Sequence, residues 1–85
     1  MFKINDRIEI LKRSKQSEIL IGRVLSEQGR DGPLSINVEM IFPQTGEKVP
    51  FFFIPGYGWK VLHKASDGSP YIDPEDPFYD IRRQS

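Results

Sequence analysis

Apolar and polar residues alternate one by one over several stretches of this chain, and that period of two predicts strands rather than helices. The third apolar run is the clearest. Leu34, Ile36, Val38, Met40 and Phe42 alternate with Ser35, Asn37 and Glu39, and only Ile41 interrupts the polar side. A helix would scatter these residues around its circumference, whereas a strand places them on one face. The same reading predicts strands over 2–11, 18–26, 34–42, 47–54 and 59–62. In the first, Asn5–Asp6 marks a turn or bulge before Ile8 and Ile10 resume the alternation. In the second, both faces carry apolar residues, so that strand is expected to be central or covered on both sides. Gly22 within it suits a bulge, a bend or a close backbone approach.

The connections are also legible. Residues 12–17 are polar and read as a solvated loop, and 28–33 carry the strongest loop signal of the chain. A short turn at 43–46 argues for a hairpin between strands three and four. Pro50 has no N–H for a ladder and is expected at a strand edge or bulge. Residues 54–58 read as another tight turn. From residue 66 the character changes to Asp-Gly, Ser-Pro and Asp-Pro pairs, which favour turns and extended chain. Yet Tyr71, Ile72, Phe78, Tyr79 and Ile81 are too apolar for a free tail. Part of this tail is expected to dock on the body, with a short helical turn over 76–82 as one form it could take.

This order of strands and loops, with a long loop first and short turns later, resembles the SH3-like small barrels: the KOW, Tudor, CAP-Gly and SH3 group. The opening Phe2-Lys3-Ile4-Asn5-Asp6-Arg7-Ile8-Glu9-Ile10 and the later Ile21-Gly22-Arg23-Val24 are similar to runs in that group. Members usually carry Gly where this chain has Asn5, and Asn tolerates the same left-handed turn. An OB-like barrel is the rival, but the turn at 43–46 leaves no room for the helix it carries there. The expected fold is therefore all-β: a five-stranded SH3-like small barrel over 1–65 and an extended acidic tail over 66–85. A fold of this kind does not by itself give a function.

Composition narrows the classes. The 85 residues fit one domain with a small core. The absence of cysteine removes disulfides and thiolate metal sites and suits a reducing, cytoplasmic setting. No apolar run resembles a signal peptide or a membrane span, so no membrane partner is expected. Net charge is zero but uneven. Residues 1–65 carry ten Lys or Arg against seven Asp or Glu, and residues 66–85 carry two against five.

The densest feature is the run from Phe51 to Trp59. Alternation cannot bury Phe51, Phe52 and Phe53 on one face. If Phe51 and Phe53 face the core, Phe52 faces out and needs a cover: the tail, a second copy or a partner. Tyr57 and Trp59 flank a glycine at a turn, where aromatics line the ligand groove of several SH3-like domains. Trp59 reads more simply as a core anchor and Tyr57 as the exposed ring. Phe52, Tyr57 and Trp59 are therefore the candidate partner-binding residues. Lys12, Arg13 and Lys15 form the basic cluster of the chain and are the candidates for phosphate contact with RNA or DNA. The carboxylates at Asp73, Glu75 and Asp76 lack the spacing of a calcium loop and read as an acidic segment able to fold back on that cluster. His63 reads as a surface residue without a catalytic partner. No catalytic residue, metal site or cofactor motif is expected. The leading expectation is a non-catalytic, adaptor-like protein-interaction module that binds a protein partner or itself, and the alternative is a nucleic-acid-binding barrel.

Overall fold

The computed structural model of the protein describes residues 2–26 and 35–84. It is all-β, with no helix among the described residues. The strands are β1 (Arg7–Lys12), β2 (Lys15–Val24), β3 (Ser35–Phe42), β4 (Lys48–Ile54), β5 (Gly58–Val61), β6 (His63–Lys64), β7 (Pro70–Tyr71) and β8 (Tyr79–Arg83). Six of them close an antiparallel barrel in the order β1-β2-β3-β4-β5-β8, and β6 pairs with β7 in a separate two-stranded sheet. Leu34 and the loop expected over 28–33 lie outside the described residues.

The five-strand expectation is corrected to six, and the sixth comes from the segment read as a tail. β8 runs along β1, with Ile10 opposite Ile81 and Lys12 opposite Tyr79. It meets β5 at Trp59 opposite Tyr79. Residues 79–83 do alternate, with Tyr79 and Ile81 packed on the core between Asp80 and Arg82. Two apolar positions behind a series of Asp-Pro and Ser-Pro turns are too weak a signal to outweigh those turns. The helical turn considered for 76–82 is replaced by this strand, because an unpaired edge on β1 and β5 offers backbone partners that a helix would leave unused.

The start of the barrel differs as well. Residues 12–17 are not a long loop: β1 and β2 form a hairpin whose turn is Arg13 and Ser14, with Lys12 opposite Lys15. The ladder then shifts register before Leu11 meets Ile19. The long first loop on which the resemblance to SH3-like barrels leaned is therefore absent. Asn5 does occupy the left-handed region at φ 73°. Around it, the Lys3 N–H donates to Asp6 Oδ2 at 2.8 Å and the Asn5 N–H donates to the Val24 carbonyl at 2.8 Å.

Ile8, Ile10, Val24, Ile36, Val38, Met40, Phe51 and Trp59 form the buried core. Gly22 faces inward among them, and a methyl group there would fall on Val38 Cγ1. Its missing side chain is what lets β2 and β3 approach. β2 is central, flanked by β1 and β3, but its outer face is not fully covered. A register shift at Ile21/Gly22 brings Phe42 opposite Ile21, so Phe42 and Ile19 stay exposed. Pro50 sits just beyond the last β4–β5 pair, Phe51 opposite Val61, and its carbonyl accepts the Leu62 N–H at 2.8 Å.

Three ion pairs lace β8 to the start of the chain: Arg13–Asp80 at 3.0 Å, Glu9–Arg82 at 3.6 Å and Asp6–Arg83 at 3.0 Å. Exposed pairs are individually weak, and the β1–β8 ladder with its inward Tyr79 and Ile81 carries most of the closure. Deleting residues 79–84 is expected to abolish cooperative urea unfolding, since it reopens both edges and uncovers the core. A truncated chain that still unfolds in one sharp transition would refute the closure. Asp6 adds a pH dependence. The hydrogen bond from the Lys3 N–H, then that from Arg83, holds its carboxyl below the usual aspartate value. A group with a lowered folded pKa stabilises fully above its unfolded pKa, and the contribution fades as pH falls through the folded one. The stability gap between the wild type and Asp6→Asn should therefore shrink on acidification, as read from urea midpoints across the carboxylate range. A gap that widened would contradict it.

Candidate functional site

β4 places its three phenylalanines as alternation requires. Phe51 is buried and Phe53 packs against the core, where its ring meets Trp59 at 5.1 Å. Phe52 stands outside the core cluster, half-buried between Ser35 of β3 and Lys60 of β5. The tail's rings find other partners. Tyr79 meets Phe51 edge-on at 5.7 Å, Tyr71 stacks on His63 at 5.3 Å, and Phe78 stacks on Tyr57 at 6.0 Å.

Residues 72–78 lie over the outer face of β5 and are held there by Lys60. This lysine alternates with the inward Trp59 and Val61, so it points out of the barrel, yet it is only 5 % exposed. Its ammonium donates to the Asp73 carbonyl at 2.9 Å and sits 4.8 Å from the centre of the Phe78 ring. A buried charge needs such partners. Lys60 thus fixes Phe78, and Phe78 in turn backs Tyr57.

Tyr57 lies on the β4–β5 turn, where its N–H donates to the Ile54 carbonyl at 2.9 Å. It is 62 % exposed despite the stacked ring behind it. Beside it is a cleft of about 360 Å³ whose walls include Arg13, Phe53, Tyr57, Gly58, Trp59 and Asp80. Arg13, from the basic cluster, and Tyr57 and Trp59, from the aromatic run, therefore meet in one place. Trp59 belongs to the core and is 6 % exposed. Phe52, Lys12 and Lys15 do not line the cleft. Lys15 is paired with Glu18 at 2.9 Å, which holds the lysine above and the glutamate below its usual pKa.

Arg13 is positioned from three sides. Its N–H donates to the Phe78 carbonyl at 3.1 Å, and its Nε donates to Asp80 Oδ1 at 3.0 Å. Its guanidinium lies against Gly58, where a β-carbon would come within 2.9 Å of Nη2 and 3.2 Å of the Tyr79 carbonyl oxygen. Gly58 has φ +121°, a conformation that side chains oppose. The acidic segment thus reaches the basic cluster through Asp80, where the sequence pointed to residues 73–76.

His63 has a partner that the sequence did not reveal. Its Nε2 is joined to Asp76, and Tyr71 stacks on its ring. Such a pair can hold or orient a proton. A second cavity, of about 600 Å³, lies beside it and is lined by Ser35, Asn37, Pro50, His63 and Lys64 among others. The hydroxyl of Ser69 is engaged by Asp67. Pairing across thirteen residues of turns leaves no periodic signal in the sequence, so His63–Asp76 is visible only in three dimensions. Among the described residues no group of three or more His, Asp or Glu side chains gathers as metal donors. No helix among them is long and apolar enough to cross a membrane.

Gly58→Ala is expected to cost about 1–3 kcal/mol, since it forces a side chain into a backbone conformation that residues other than glycine oppose. It should also push Arg13 off its seat. A urea midpoint unchanged from the wild type would refute this.

Comparison with known proteins leaves the site to be read from its own chemistry: no protein-family model, curated protein or solved structure matches the chain.

Proposed function

We propose that the protein is a non-catalytic interaction module that holds an extended segment of a protein partner in the Tyr57 cleft. One observation carries this reading. Tyr57 is a large, exposed ring that is backed by the stacked ring of Phe78, on which the Lys60 ammonium sits. A pre-ordered aromatic offers contact area at little further entropy cost, which is the property of an interface anchor. The cleft's volume matches one or two side chains. The cysteine-free composition fits a cytoplasmic setting for such a module.

A second reading, nucleic-acid binding through Lys12, Arg13 and Lys15, gains from the nearness of Arg13 to Tyr57, since a cation beside a stacking ring suits a nucleotide. It is the weaker of the two. Arg13 lines the cleft without Lys12 or Lys15, Lys15 is paired with Glu18, and a polyanion is held by several cations acting together.

A random peptide library panned against the folded protein should yield binders that Tyr57→Ala weakens by roughly tenfold or more. The same variant should keep its unfolding free energy in urea within about 0.5 kcal/mol of the wild type, as an exposed substitution does. Failure to enrich any peptide, or binders indifferent to Tyr57, would overturn the proposal. Binding of a mixed-sequence oligonucleotide that falls steeply with added salt would favour the second reading instead.

A further inference from the structure

The unused donors of Arg13 give the cleft a chemical preference. Nε is occupied by Asp80, and Nη1 and Nη2 have no acceptor among the described residues. The side chain is 47 % exposed and forms part of the cleft wall, where a ligand can reach it. Gly58 lies close against Nη2 and Cζ of the guanidinium, and the Asp80 bond to Nε fixes its other side. What remains is the outer end of the fork: two parallel N–H groups at a fixed spacing. That end matches the two oxygens of a carboxylate.

We infer that the partner segment presents the carboxylate of an Asp or Glu side chain to Nη1 and Nη2 of Arg13, with a neighbouring apolar side chain laid against Tyr57. This rests on the peptide reading above and adds its specificity. A carboxylate suits the site better than a phosphate chain for two reasons. There is one fork rather than a row of cations in the cleft, since neither Lys12 nor Lys15 lines it and Lys15 is engaged by Glu18. The carboxylate of Asp80 beside the same guanidinium also opposes a doubly charged group more strongly than a singly charged one. The arrangement is a guanidinium bridging two carboxylates, one from the chain and one from the ligand. The chain's own carboxylate holds the fork in place before the ligand arrives, which reduces the entropy lost on binding.

Two changes test this, one on each partner. The enriched peptides should contain Asp or Glu, and replacing it by Asn or Gln should weaken binding roughly 10- to 100-fold, the range for a hydrogen bond to a charged group. Arg13→Gln should weaken the acidic peptide by a similar factor and leave its amide analogue unchanged, so the double-mutant cycle shows coupling. Arg13→Lys keeps the charge but loses the fork, and should restore only part of the affinity. The peptide-side change leaves the protein's fold untouched, so it remains decisive if an Arg13 variant is unstable. Enriched peptides without acidic residues, or a cycle without coupling, would overturn this inference while the Tyr57 reading stands. Indifference to Tyr57→Ala would remove both. Displacement of the acidic peptide by mixed-sequence oligonucleotide at low salt, with affinity falling steeply as salt rises, would overturn it in favour of a phosphate ligand.

Discussion

An antiparallel sheet of β1 to β5, rolled to this curvature, would leave β1 and β5 each with an unpaired edge and the core open between them. Backbone N–H and carbonyl groups on such edges need partners, and an open edge invites pairing with another chain. β8 fills that gap. It pairs along the length of β1 from Ile8 to Lys12 and touches β5 at Trp59 opposite Tyr79. It also adds Tyr79 and Ile81 to the apolar interior, and burial keeps the Tyr79 hydroxyl protonated above its ordinary range. Closure of the barrel, the sealing of its core and the placing of the cleft all depend on this late strand.

The route by which the chain reaches β8 builds the cleft. After β5 it turns through the β6–β7 sheet, crosses the outside of the barrel over Lys60, and then inserts. The crossing brings Phe78 behind Tyr57. The insertion brings Asp80 beside Arg13. One segment therefore supplies backing for the exposed ring and orientation for the guanidinium. An aromatic ring and a basic side chain, 44 positions apart in sequence, become neighbours because a third segment holds both.

Gly58 shows the same dependence at a single residue. Its backbone conformation turns the chain from the β4–β5 turn into β5, and its bare α-carbon is the surface on which the Arg13 guanidinium rests. The turn and the seat require the same absence of a side chain. The covered lysine beside it works in the opposite sense. Lys60 is long enough to reach past the barrel wall, so its charge can be met by a carbonyl and a ring that lie outside.

The sequence by itself determined the all-β class, most of the strands and the inward Ile8, Ile10, Ile36, Val38, Met40 and Phe51, because side chains on a strand alternate and one-sided burial forces that alternation into the composition; Ile4 and Phe42, read on the same apolar faces, lie at the ends of that alternation and are exposed. It also determined that Asn5 turns the chain, that Phe52 stands apart from its two neighbours, and that Tyr57 rather than Trp59 is the exposed ring. Tertiary structure alone decided the rest. β8 is short, and its pairing partners β1 and β5 lie far back in the sequence, so its two alternating apolar positions mark it only weakly. The hairpin at Arg13 and Ser14 forms where polar residues signal only solvent, and Phe78 of the returning chain meets Arg13 there. The pairs Arg13–Asp80, Lys60–Phe78 and His63–Asp76 join residues that have no spacing rule between them. Alternation records which face a residue takes, but not which distant strand or side chain it will meet.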